Sequence, residues 1–289
     1  MRRLLRCALG ATLLGCAGPP DDEVATPVTP PTVAASQTAS TSPPAADAAG
    51  DVIAAAQAFR VGVDLSTQGR DTEAIAAYRR AVAESPSYVE AHYNLGNALA
   101  RQLNIPEAIE AYQRVLCLDS THVSARHNLA ALYVKQLNYA QAIAEHDAVL
   151  RLAPRHVATY YDLGFIYFTR GEYERVEELL QTGGRLAPRD PRFHRLRGRM
   201  RHKQLRYEDA VMALEEAVAL DSSDAVAFSD LAQARLKAGD FEGSVVAAEH
   251  SIDLDANAKD PHFVLANALL AGLLNVIPNV GPFLGTVFP

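Results

Sequence analysis

Residues 89–122 read VEAHYNLGNALARQLNIPEAIEAYQRVLCLDSTH. The same pattern recurs, without a gap, at 55–88, 123–156, 157–190, 191–224 and 225–258. Position 8 of this unit is Gly62, Gly96, Ala130, Gly164, Gly198 and Ala232. Position 20 is Ala74, Ala108, Ala142, Val176, Ala210 and Ser244, and position 27 is Ala81, Val115, Val149, Gly183, Ala217 and Ser251. Position 7 is Val61, Leu95, Leu129, Leu163, Arg197 and Leu231. Apolar residues at helical spacing on both sides of a central turn predict two amphipathic helices per unit. The small residues at positions 8 and 20 let those helices approach closely. Turn signals separate them at Gly69-Arg70-Asp71, Gly171-Glu172 and Gly239-Asp240. Position 32, proline in three copies (Pro86, Pro154 and Pro188), stops the second helix. One such hairpin cannot bury its apolar face alone. Stacked copies can, so the period predicts an all-α solenoid.

Two copies depart from the pattern. The fourth carries Val176 for Ala and Gly183-Gly184 near the end of its second helix, which predicts fraying or a bend. The fifth places Arg197 in the leucine column, which predicts a weak or specialised helix. Beyond the sixth copy, Pro261, Leu265, Ala266 and Leu269 fit a partial seventh first helix over 259–274, a cap. A cap is expected to be polar outside, yet from Phe263 to Pro289 there is no charged residue. The apolar tail, 275–289, is broken by Pro278, Gly281, Pro282 and Gly285, which argues against a regular span. The stretch ALLAGLLNVIPNVGPFLGTVFP resembles a membrane motif of the AI-2E-type transporter family.

At the other end, residues 1–16 hold Arg2, Arg3 and Arg6, then an apolar run too short to span a bilayer, then Leu13-Leu14-Gly15-Cys16. This resembles the lipobox of bacterial lipoproteins and implies lipidation of Cys16. Several acyl chains on one residue would hold a domain firmly to a membrane. Ala17, rather than Asp, follows the cysteine, which in the enterobacterial sorting pattern favours the outer membrane. Residues 17–50, rich in Pro, Ala, Thr and Ser, bury too little to offset ordering and read as a disordered tether. The repeats then occupy 51–258. The net charge of −7 argues against nucleic acid as a partner. Cys117, alone among the repeats, reads as a small buried apolar residue.

The period, hairpin and columns resemble the tetratricopeptide repeat family, over six in-register copies. The resemblance implies a right-handed superhelix whose first helices line a concave groove through positions 2, 5, 6, 9, 12 and 13. At position 6 stand Asn94, Asn128, Asp162 and, after a gap, Asp230. Such a polar ladder is similar to those that pair with the backbone of an extended peptide. Asn97 and Asn128 match part of a known carboxylate clamp, but Tyr93 and Ser124 stand where its basic residues belong, so no clamp is expected. The fourth copy adds an aromatic stripe, Tyr161, Phe165 and Phe168, while Tyr160 and Tyr167 read as helix packing. The fifth adds a basic block, of which Arg192, Arg195, Arg199 and Lys203 would face the groove and suit an anion.

No catalytic constellation stands out. There is no phosphate-cradling glycine loop, no His-Glu-x-x-His and no Cys-x-x-Cys, and the histidines show no ligand spacing. The sequence therefore reads as a non-enzymatic scaffold without cofactor or metal. It would sit lipid-anchored in the bacterial envelope, facing the periplasm, with a protein or peptide partner. Two alternatives stay open: a module for an anionic polymer or polysaccharide on the fifth-copy arginines, and an accessory subunit of a membrane transporter, suggested by the tail.

Overall fold

The computed structural model describes residues 46–276, with side chains over 51–274. The leader, Cys16, most of the tether and residues 277–289 lie outside the described residues. The described chain is all α, without strands: α1 Ala46–Thr67, α2 Asp71–Glu84, α3 Val89–Arg101, α4 Ile105–Leu118, α5 Val123–Lys135, α6 Tyr139–Leu152, α7 Val157–Arg170, α8 Tyr173–Leu186, α9 Pro191–Lys203, α10 Tyr207–Leu220, α11 Ala225–Ala238, α12 Phe241–Leu254 and α13 Lys259–Val276. Each repeat is one hairpin of a first and a second helix. The first helix starts at Ala46, inside the stretch expected as tether, because Ala46, Ala48 and Ala49 are strong helix formers and extend it backwards.

The start signals are side-chain caps where the sequence provides them. Asn138, Asp190, Asp224 and Asp240 each accept a hydrogen bond from a first-turn backbone N–H. The turn between paired helices has one conformation throughout. Position 15 is left-handed in six copies: Gly69, Gly171 and Gly239 at φ 74, 76 and 85°, and Leu103, Leu137 and Leu205 at φ 59, 59 and 61°. In the second copy the Leu103 N–H donates to Ala100 O and the Asn104 N–H to Leu99 O, the paired bonds that close a Schellman turn.

Packing explains the small-residue columns. A Cβ on Gly62 would lie 2.6 Å from the Tyr78 ring, one on Gly96 2.7 Å from Tyr112, and one on Gly198 2.4 Å from Leu214 Cγ. Position 8 is thus a hole for the side chain at position 24 of the same repeat, and Tyr78, Tyr112 and Leu214 are each buried. Position 20 is buried in every copy, and where serine stands there its hydroxyl is satisfied: Ser244 Oγ donates to Ala232 O at 2.8 Å. Buried Ser251, at position 27, likewise donates to Ala225 O at 2.7 Å.

The chain divides into two compact units, the first ending at Leu132 and the second beginning at Tyr133. In the first, α1 packs on α2, α2 on α3 and α3 on α4. In the second, consecutive helices from α7 onward pack in the same way, and alternate helices also touch: α7 with α9, α9 with α11, α11 with α13. The first helices of this unit therefore lie side by side as one layer.

Several expectations need correction. α8 runs unbroken to Leu186, because Gly183 is a packing site: a Cβ there would meet the Phe193 ring at 2.3 Å. α9 is a complete helix, because Phe193, Leu196 and Met200, spaced i, i+3, i+7, carry its buried face and release Arg197 to the surface beside Glu177. Cys117 is exposed, since it falls on the outer side of α4 between buried Val115 and the helix end. In α13, Pro261 is buried, but Ala266 and Leu269 are exposed, because no second helix follows to cover them among the described residues. No described helix is long and apolar enough to cross a membrane.

Candidate functional site

The expected groove residues fall on first helices in both units, and each unit has its own arrangement. In the first unit, Asn97 and Asn128 are already partnered. Asn97 Oδ1 accepts from the Tyr112 hydroxyl at 2.6 Å and from Asn128 Nδ2 at 3.0 Å. Asn128 Nδ2 also lies 3.4 Å from the hydroxyls of Tyr93 and Tyr112. Burial pushes the Tyr112 phenol up to about 12, so it remains a donor at neutral pH. Tyr93 closes the cluster, with its ring 4.9 Å from that of His122. Asn94 stays apart from it, half-buried and without a side-chain hydrogen bond among the described residues. The pair at positions 9 and 6 of successive repeats is therefore one knot with two tyrosines, and Asn94 is the asparagine left to offer its amide. The tyrosine at position 24, opposite a glycine at position 8, was the sequence signal for this knot.

In the second unit, Tyr161, Phe165 and Phe168 are half-buried at the rim of a core built from Leu163, Tyr167, Val176, Leu180, Phe193, Leu196 and Met200. Tyr167 is buried, as expected for helix packing, and the Tyr160 hydroxyl donates to Pro154 O at 2.8 Å. The fifth-copy cations are laid against this rim and against acids. The Arg192 guanidinium stacks 5.1 Å from the Tyr161 ring and is 2.6 Å from Asp190. Arg195 is 2.6 Å from Asp224, and Arg201 is 2.7 Å from Glu177. Arg199 lies over Phe168 at 5.2 Å, with its Nε 3.9 Å from Asp230 Oδ2. Glu177 of α8 offsets the block, at 2.7 Å from Arg201 and 3.9 Å from Arg197, whereas Glu172 is taken by Arg170 and Arg175. Lys203 remains exposed and without an ion pair among the described residues.

Asp162 and Asp230 are both desolvated carboxyls. Burial raises each to about 6, against the pull of Arg192 and His156 on Asp162, and of Arg199 and Arg195 on Asp230. Asp230 lines a cavity of about 240 Å³ together with Phe168, Arg199, His202, Lys203, Leu214, Gln233 and Asp260. Two polar atoms of these residues are buried without a hydrogen-bond partner, Asp230 Oδ2 and His202 Nε2. Such groups are costly to leave unmatched. The cavity thus brings together a carboxylate oxygen without a hydrogen-bond donor, the Arg199 guanidinium 3.9 Å from it and the exposed Lys203. Sequence reasoning singled out Asp230, Arg199 and Lys203; it missed His202, Gln233 and Asp260, which share the cavity by stacking of α9, α11 and α13.

Family models described as TPR repeat and tetratricopeptide repeat match residues 66–102, 89–122 and 134–200. No protein of curated function gives a significant match. Among solved structures, the fold is similar to PilW, described as a widely conserved type IV pilus biogenesis factor (TM-score 0.65, 13% identity, 73% of this chain and 98% of that one). It is also similar to YrrB, described as a TPR protein with an unusual peptide-binding site (TM-score 0.52, 20% identity, 68% of this chain and 98% of that one). A third likeness is to the APC/C hetero-tetramer Cut9–Hcn1 (TM-score 0.63, 17% identity, 74% of this chain), of which this chain spans 43% of the matched chain's length. At these identities the likeness shows the fold alone. Tetratricopeptide repeat models thus match residues 66–122 and 134–200 of this chain, on an all-α helical-repeat fold.

Proposed function

We propose that the chain is a non-enzymatic adaptor that holds a peptide or protein partner on its first-helix face. A lipidated Cys16 would tether it in the bacterial envelope, at the outer membrane facing the periplasm. The observation that carries the binding reading is the cavity at Asp230. A buried acceptor without a hydrogen-bond donor, 3.9 Å from Arg199 and beside Lys203, which has no ion pair among the described residues, is incomplete chemistry that a ligand would complete. Asn94 offers a free amide in the first unit. The aromatic rim of Tyr161 and Phe165 gives apolar side chains of a partner somewhere to rest. Tetratricopeptide repeats are protein–protein interaction scaffolds, and the peptide site in the printed description of YrrB supports the same use of this fold. The description of PilW as a pilus biogenesis factor supports an envelope setting, in line with the lipobox-like Leu13-Leu14-Gly15-Cys16. The anionic-polymer reading is narrowed by geometry, since Asp190, Asp224 and Asp230 already face Arg192, Arg195 and Arg199, leaving Lys203 as the cation of the block's groove set without an ion pair among the described residues.

The test is capture from envelope extract by the parent chain, beside Asn94→Ala and Asp230→Asn versions of equal helicity. A partner retained by the parent and lost from either variant supports the adaptor reading. Equal capture by all three removes these residues from the binding surface. Radiolabelled palmitate that enters the parent and not Cys16→Ser is the expected result for the anchor.

A further inference from the structure

In the described repeats each first helix buries one side against the second helix of its own repeat, but α13 has no such helix among the described residues. The residue at position 8 makes the contrast explicit. Gly62, Gly96 and Gly198 are covered by Tyr78, Tyr112 and Leu214, whereas Ala266 at the same position of α13 is exposed. Position 11 repeats the point: Leu99, Tyr133 and Tyr167 are buried, and Leu269 is 55% exposed. Leu270 and Leu273 stand out beside it at 53% and 62%. Between α12 and α13 runs a largely apolar groove of about 360 Å³, lined by Phe241, Val245, Ala268, Leu269, Gly272 and Leu273, with the exposed Glu242 at its edge. An uncovered apolar stripe of this kind on a protein surface marks an interaction site.

The surrounding chemistry selects the occupant. The chain carries a net charge of −7, so copies repel across most of their surface. From Phe263 to Val276 no residue of α13 is charged, so the helix face itself brings no like charges together, with Glu242 of α12 at its edge. The stripe is also self-complementary. An antiparallel two-fold axis passing between Leu269 and Leu270 sets Leu273 of the second copy over Ala266, and Leu270 of the second copy beside Leu269. That is the leucine-over-small-residue packing that Leu214 makes on Gly198. We propose that the α13 face, centred on Ala266, Leu269, Leu270 and Leu273, is the interface of an isologous dimer of this chain.

The experiment is sedimentation of the full 289-residue chain in density-matched detergent over a wide concentration range, with helicity checked by circular dichroism. The parent is expected to dimerise. Ala266→Glu and Leu273→Lys, each exposed and each tolerable to the monomer fold, are expected to weaken the dimer at least tenfold. Because position 266 faces position 273 of the second copy, mixing the two variants is expected to restore dimer through a Glu–Lys pair. Leu103→Glu, an exposed leucine far along the sequence, serves as the control that leaves mass unchanged. A parent that stays monomeric at every concentration overturns the proposal and hands the face to the chain's own tail or to lipid. Variants that dimerise like the parent place self-association elsewhere, and a mixture that stays monomeric rules out the antiparallel pairing.

Discussion

Replacing Leu103, Leu137 and Leu205 with glycine is expected to stabilise the protein, although each substitution deletes a leucine. All three sit at φ near 60°, at the repeat position where Gly69, Gly171 and Gly239 stand in the other copies. A side chain with a Cβ loses roughly 1–2 kcal/mol in the left-handed region. Glycine removes that strain and gives back about 0.5–1 kcal/mol through its freer unfolded chain. The deleted side chain adds little to the other side of the balance. These leucines are 70–72% exposed, close to their exposure in a realistic unfolded ensemble. The net is a gain of about 0.7 kcal/mol per site. The sites lie a repeat or more apart, so the gains add to about 2 kcal/mol, or a rise in Tm of roughly 4–8 °C. Urea unfolding followed by circular dichroism measures it, with Gly171→Leu as the inverse substitution, expected to lose a similar amount. A triple variant no more stable than the parent would refute the reasoning, because it would mean that these turns carry no backbone strain.

Three other outcomes follow from the packing and charge described above. Gly198→Ala forces a Cβ to within 2.4 Å of Leu214 Cγ and is expected to cost about 1–3 kcal/mol; adding Leu214→Ala should recover part of it, seen as a coupling of about 1 kcal/mol in a double-mutant cycle. Asn97→Leu strands the Tyr112 hydroxyl and one Asn128 amide hydrogen and should destabilise the first unit by about 1–3 kcal/mol in thermal melts, with or without any partner. The Asp230 carboxyl, raised to about 6, holds its proton in the folded chain after the unfolded chain has released it, so stability falls as pH rises from about 4 to about 6 and then levels. Asp230→Asn should reduce that slope in stability-versus-pH curves, leaving the part due to Asp162, and leave the protein more stable than the parent at pH 7.5 but not at pH 4; an unchanged slope would place the titrating group elsewhere.

The hairpins were legible because their determinants are local. Small residues at positions 8, 20 and 27 and prolines at position 32 state close approach and termination in the residue types themselves. The turns were half legible. Gly69, Gly171 and Gly239 announce a left-handed residue, whereas Leu103, Leu137 and Leu205 adopt the same conformation only because the neighbouring hairpin geometry imposes it. Reading column by column misjudged α8 and α9 for a related reason. Gly183 and Arg197 look like defects in one helix, yet Phe193 fills the space that Gly183 opens, and Leu196 takes over the burial that Arg197 gives up. The site was legible as a list of groups and not as an arrangement. Asn94 and Asn128 share a column, but Asn128 turns to Asn97 and Tyr112 instead, and the arginine block meets acids from α8, α11 and the loop before α9. Apart from Arg192 with the nearby Asp190, these partners lie 16 to 31 residues away, and no single-sequence pattern states that choice.

The fit of position 24 into position 8 bears on how such a chain can lengthen or shorten over generations. Tyr78 with Gly62, Tyr112 with Gly96 and Leu214 with Gly198 are each matched inside one thirty-four-residue stretch. A duplication or loss of whole repeats, with its breaks between one copy and the next, carries every lock together with its key. A crossover that joins the first helix of one copy to the second helix of another does not, since Ala232 or Ala130 leaves no room for a tyrosine ring that lies 2.6 Å from where a glycine's missing carbon would be. Recombination between copies is thereby filtered by size matching, and the array inherits change in whole repeats, or in paired substitutions within one.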